Sequence, residues 1–366
     1  MPIFATQTKD LLKRLLIILH RTVLIIITII LLVFIAIQTD FVQNRLVNIA
    51  TNRLSNALGT EVSIKTVSFS LFNRFNLEGM MVKDKQKDTL LYAGQLKIRI
   101  TDWFFLKDKA TLHFVGMEDA VIKLHRKDST WNYGFLVDYF ASPPSSKKKK
   151  GLTLKLKKID FKNLRFQKND QWAGEKMNIN VASLVIDAEN IDLVKNTLVI
   201  NRISLDRPSV KIQSLPALRP KLLQNKKAEV DTGMYFNEGD MSVQAGNISI
   251  RNGSLFIDGN QKTPLPFFDG SHIQLSKLNG TISSLRFIKD TLRAVVDISA
   301  KDRCGLELKK LKTDFKLTPQ IMELAKLDLQ TNKSRLTDYY AMQFKDFNED
   351  FADYITRVTM HAHFKE

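Results

Sequence analysis

From residue 60 to the C-terminus apolar side chains recur at every second position, the spacing of strands that bury one face. Residues 95–101 set Leu96, Ile98 and Ile100 against Lys97 and Arg99. Residues 292–300 set Leu292, Ala294, Val296, Ile298 and Ala300 against Arg293, Val295, Asp297 and Ser299. No long helical pattern separates the strands, so a parallel α/β sheet is not expected. A finer regularity runs through them: apolar-x-apolar, a gap of two, then apolar-x-apolar again. It appears at Val62, Ile64 / Val67, Phe69; at Leu154, Leu156 / Ile159, Phe161 / Leu164, Phe166; and at Ile179, Val181 / Leu184, Ile186. Val243, Ala245 / Ile248, Ile250 and Met322, Leu324 / Leu327, Leu329 repeat it. A step of three flips the face of a flat strand, and a bulge at the gap restores it. Repetition of that bend predicts a mainly β fold: an elongated, repetitive, curled antiparallel sheet forming a groove or trough, with a few short helices.

The period changes upstream. Residues 41–58 place Val42, Leu46, Ile49, Ala50, Leu54, Ala57 and Leu58 at helical steps, with Asp40 as N-cap and Gly59 as C′ residue. Residues 15–37 are almost wholly apolar, about 23 residues, the length that crosses a bilayer core of about 30 Å. Leu15, Val23, Leu24, Ile25, Ile30, Leu31, Phe34 and Ile37 are its anchor side chains. Thr28 can bond back to a helix carbonyl. Lys9, Lys13, Arg14 and Arg21 on or near the leading flank orient the N-terminus to the cytoplasm. The expectation is a retained, single-pass N-terminal transmembrane helix with the body outside the cytoplasm.

The expected organisation is a tail 1–14, an anchor 15–37, an amphipathic juxtamembrane helix 38–59, a first β-segment 60–141, a basic flexible loop 142–151 and a second, repetitive β-segment 152–366. The loop carries Pro143, Pro144 and Lys147 to Lys150. Another break, 215–239, holds Pro216 and Pro220 and opens on a short helix, 217–224. Residues 84–88, 127–130 and 258–261 have the composition of hairpin turns. A short helix, 347–355, precedes a final strand, 356–364.

Charge and cysteine alter the picture little. The net charge of +17 is spread along the chain, and no recognition helix, zinc finger or aromatic RNA-binding motif gives it a docking geometry. Basic charge near anionic headgroups explains it instead. One cysteine, Cys304, excludes an intrachain disulfide. Phosphate loops, G-x-S-x-G, H-E-x-x-H and C-x-x-C are absent. His361 and His363 share a strand face but lack further ligands, and the terminal acidic group 346–353 has the look of a solvated face. Trp131, Tyr133, Phe135, Tyr139 and Phe140 have the spacing of core. No catalytic residue, metal site or cofactor is assigned. The groove-lining candidates are Leu152, Leu154, Leu156, Ile159, Phe161, Ile179, Val181, Ile248 and Ile250.

Residues 58–64 (LGTEVSI), 88–94 (DTLLYAG), 127–133 (KDSTWNY) and 327–334 (LDLQTNKS), after an anchor and an amphipathic helix, resemble the N-terminal part of AsmA-like proteins. The resemblance is closest to translocation and assembly module TamB. It implies a β-groove protein of the cell envelope, anchored in a bacterial inner membrane with a periplasmic body. Its groove would take lipid acyl chains, linked to lipid transport and outer-membrane protein assembly. TamB-type proteins are several times longer and end in a domain that engages an outer-membrane barrel, so the resemblance implies a fragment, a truncated reading frame or a short AsmA-like relative. The rival expectation is a structural or interaction scaffold without lipid cargo.

Overall fold

The computed structural model describes residues 3–37, 39–70, 74–100, 109–141, 151–192, 195–218, 237, 240–259, 263–345, 350 and 354–363. Two helices lead: α1 (Ile3–Ile37) and α2 (Asp40–Leu58). The strands follow: β1 (Val62–Ser63), β2 (Thr66–Ser70), β3 (Arg74–Lys83), β4 (Thr89–Ile100) and β5 (Lys109–Arg126). After α3 (Gly134–Ala141) come β6 (Gly151–Asp170), β7 (Glu175–Asp192), β8 (Thr197–Asp206) and β9 (Ser209–Ser214). The rest are β10 (Ser242–Asp258), β11 (His272–Ile288), β12 (Thr291–Asp302), β13 (Glu307–Leu317), β14 (Ile321–Thr331) and β15 (Arg335–Gln343). A short helix, α4 (Tyr354–Arg357), precedes β16 (Thr359–His363). All sixteen strands join one sheet, with β8 and β9 laid end to end between β7 and β10. Among the described residues the structure is mainly β.

The expected all-antiparallel pairing needs correction at two places. β5 runs parallel to β6, and β8 and β9 run parallel to β10. The physical cause lies in the connections. A tight turn reverses the chain, whereas the long segments before β6 and before β10 return it to the rim it left.

The expected membrane anchor is also corrected. Residues 15–37 do lie in one helix, and Thr28 donates to Leu24 O at 2.9 Å. Val23, Leu24, Ile25, Ile30 and Leu31 are exposed. Yet among the described residues no helix is long and apolar enough to cross a membrane. His20 and Arg21 interrupt the apolar run. The side chains of Leu15, Phe34, Ile37, Lys9, Lys13 and Arg14 lie outside the described set. The single-pass inner-membrane placement is withdrawn with the anchor.

Smaller corrections follow local chemistry. The N-cap of α2 is Thr39, whose hydroxyl donates to Ala36 O, not Asp40. Gly59 takes the left-handed C′ conformation, φ 60°, as expected. The packed stripe of α2 is Val47, Ala50, Leu54 and Leu58, while Ile49 and Ala57 face solvent. The turn at 127–130 closes on a single bridge, Arg126 to Trp131, and leads into α3 instead of a strand. The helix expected over 217–224 survives as a 3-10 turn, Pro216–Leu218, and its remainder is outside the described residues. The basic loop 142–150 is outside them too.

Candidate functional site: two apolar rows across a bent sheet

Register carries the apolar spacing from strand to strand. One row of directly paired residues runs Phe75, Ile98, Val115, Ile159, Ile186, Ile203, Ile248, Ile282, Val296. A second runs Val67, Leu77, Leu96, Met117, Phe161, Leu184, Leu205, Ile250. Past Gly280 it continues through Ile298, Leu311, Leu329 and Leu336. One residue along, the opposite face carries Lys97, Asp160, Ser204, Ser249, Thr281, Asp297, Lys312 and Asp328, interrupted by Gly116 and Val185. Apolar and polar faces are thus separated over nearly the whole sheet.

Two of the two-residue gaps coincide with bends: Asn163 takes φ 51° and Lys326 φ 49°. Gly79, Asp119, Arg207, Asn252 and Ser284 bend in the same way, with φ between 48° and 59°, where no gap was marked. The bend residues of neighbouring strands are tied together: Asn163 Nδ2 donates to Asp119 Oδ1 at 3.0 Å. Leu164 is buried beside Phe161 in one cluster, so both sides of the Asn163 gap face the same way. At Gly246 the backbones approach so closely that a Cβ would stand 2.8 Å from Asn201 O. Glycine is required there by contact, not by its dihedral.

The apolar face is filled at one end only. α2 lays Val47, Ala50, Leu54 and Leu58 over Val62, Val67, Leu77, Leu96, Met117 and Ala120, all buried. Beyond β6 the same row is half-buried at Leu184, Leu205, Ile250, Ile298, Leu311 and Leu329. Among the described residues no helix packs over that stretch. A smaller cluster, Ala188, Ile200 and Ala245 with Ile186, Ile203, Ile248 and Leu285 around it, lies on the floor. The open run spans β6 to β15, about 40 Å at the spacing of neighbouring strands.

Of the sequence-derived lining, Leu156, Ile159, Phe161, Ile179, Ile248 and Ile250 are half-buried on this face. Val181 is 4% exposed, so it is buried and not open to a groove, and it pairs with the buried Leu164. Leu152 and Leu154 keep their strand positions, but their side chains are outside the described set. His361 and His363 share a face as expected, with the His363 ring 5.8 Å from Tyr339.

Spacing alone did not reveal the polar rim. Three buried aspartates close the turns along one edge. Asp84 accepts from the N–H groups of Gln86 and Asp88 and from Asn132 Nδ2. Asp170 takes both prongs of Arg126, at 2.8 and 2.7 Å, and the Ala173 N–H. Burial raises its pKa, but those partners outweigh it and hold the carboxyl below its ordinary value. Asp302 accepts from Cys304 N and Gln274 N. On the polar face Glu118 sits 2.7 Å from Lys97 and 3.3 Å from Lys162, and the Lys97 hydrogen bond leads in lowering its pKa. Each aspartate is short and stands at a turn, and of the three turns sequence marked only 84–88, without its anchor.

These parts gather no nucleophile beside a base, and among the described residues no three His, Cys, Asp or Glu side chains converge. What they can do is hold an apolar chain that makes no hydrogen bonds. No family model matches this chain, and no curated protein matches it.

Proposed function

We propose that the chain binds lipid acyl chains along the apolar face between β6 and β15, as a non-enzymatic carrier. The observation that carries this is the half-buried row from Leu184 to Leu329, continuous with the fully covered row from Val67 to Met117. Apolar surface of that extent is rare on a protein without a partner. The apolar rows offer no hydrogen-bonding side chain between β6 and β12, which suits a hydrocarbon. The resemblance to AsmA-like proteins supports the same reading and extends it to lipid transport in assembly of a cell envelope.

The decisive measurement uses neighbouring residues of opposite facing. A photo-reactive side chain at Ile248 should cross-link to co-purifying lipid, and one at Ser249 should not. Equal labelling at both positions, or purified chain that carries no lipid, would leave a β-scaffold without cargo.

A further inference from the structure

The longest described connection within an antiparallel pair, 263–271 between β10 and β11, exposes its apolar side chains and consumes its polar groups. Phe267 is 62% exposed, Leu265 46% and Phe268 45%. The loop is nevertheless held firmly. Asp269 accepts from Leu265 N at 3.1 Å and Ser271 N at 2.9 Å, and its Oδ2 lies 2.8 Å from His272 Nδ1. The Leu265 N–H leads, with His272, in holding the Asp269 carboxyl down at about 2. Arg303 reaches across from the next turn and donates to Leu265 O at 2.7 Å and to His272 O. Pro264 and Pro266 restrict the backbone further.

We infer that this loop is a contact with a phospholipid surface, the place where the groove meets its lipid source. Three observations select that occupant. The tip presents two phenylalanines and a leucine on a restrained backbone, so little order is lost when they enter the interface. The N–H and C=O of Leu265 and both carboxylate oxygens of Asp269 are used inside the loop, leaving non-directional apolar contact. Directly behind it, Ile257 pairs with Ile273 and Leu255 with Leu275, which continues the apolar face toward Ile250. The net charge of +17 favours anionic headgroups. The inference rests on the acyl-chain reading above, and the experiment separates the two.

In a Cys304→Ser background, which keeps a side-chain hydrogen bond to Asp302, a polarity-sensitive dye is placed at Phe267→Cys. A matched chain carries it at Gln320→Cys, exposed on the opposite rim. Vesicles of phosphatidylcholine and phosphatidylglycerol with brominated acyl chains are then added. The dye at 267 should shift to the blue and be quenched, and the dye at 320 should not, whatever else holds the chain to the vesicle. Phe267→Ser with Phe268→Ser should slow transfer of a fluorescent acyl probe from vesicles by about tenfold. Uptake of that probe from detergent micelles should be unchanged. A dye at 267 that stays in water, or quenching equal at the two sites, overturns the inference. Micelle uptake then tells the failures apart: uptake without loop contact sinks only the loop, and no uptake at all sinks the groove.

Discussion

The same paired row is buried at β2 to β5 and half-buried at β7 to β14, and the residue types barely change between them. Val67, Leu77, Leu96 and Met117 lie under α2, whereas Leu184, Leu205, Ile250 and Ile298 lie under nothing described. Alternation therefore fixes which face is apolar and leaves open whether that face becomes core or surface. A covering element decides that, and among the described residues it is α2 at one end, joined by Phe135 of α3.

The largest effect should come from putting charge into this row at each end. Leu96→Asp buries an unpaired carboxylate beneath α2 and should cost more than about 4 kcal/mol. Ile250→Asp can stay hydrated and should cost about 1 kcal/mol while abolishing acyl binding. Urea titrations followed by circular dichroism distinguish them; equal losses would mean that both ends are ordinary core.

Next in size is the rim. Asp170→Asn leaves Arg126 without its buried partner and should cost about 3 kcal/mol. The Asp170 pKa is lowered on folding, so its contribution is complete above the unfolded value of about 3.9 and fades as pH falls through the folded one. Wild type should lose more stability than the Asn variant when acidified below about pH 4. A parallel acid dependence in both would remove the pair from the account.

Leu54→Ala should cost about 2 kcal/mol by opening a void under α2. Acyl uptake should survive it, since that side chain touches only the filled end. Loss of uptake would show that the two regions are coupled. Smallest of all, Ser284→Gly relieves a left-handed backbone of φ 52° and should raise stability by about 0.5 kcal/mol. A drop instead would mean that the Ser284 side chain holds the bend.

Much of this was readable from residue spacing. The gaps at Asn163 and Lys326 announced their bends because a period-two strand has no other way to keep one face apolar, whereas Ser284, Gly79 and Asp119 bend where no gap was marked. The parallel pairs were missed because spacing within a strand says nothing about its neighbour's direction. That is set by connection length, and the two long breaks carried the information unused. Residues 15–37 show the converse limit. A hydrophobic run gave a helix as expected, but helix formation and membrane crossing are separate properties. The Phe267–Phe268 tip was also overlooked, since two adjacent aromatics just after Pro264 and Pro266 break the alternation and look like linker.

The strand order has a consequence for how the molecule comes apart. Each strand pairs almost only with those next to it in the sheet, and β16 pairs on one side alone. Stability in such an arrangement is a sum over adjacent interfaces. Opening should travel inward from β16 as an unzipping, and backbone amides should exchange with solvent fastest there and slowest under α2.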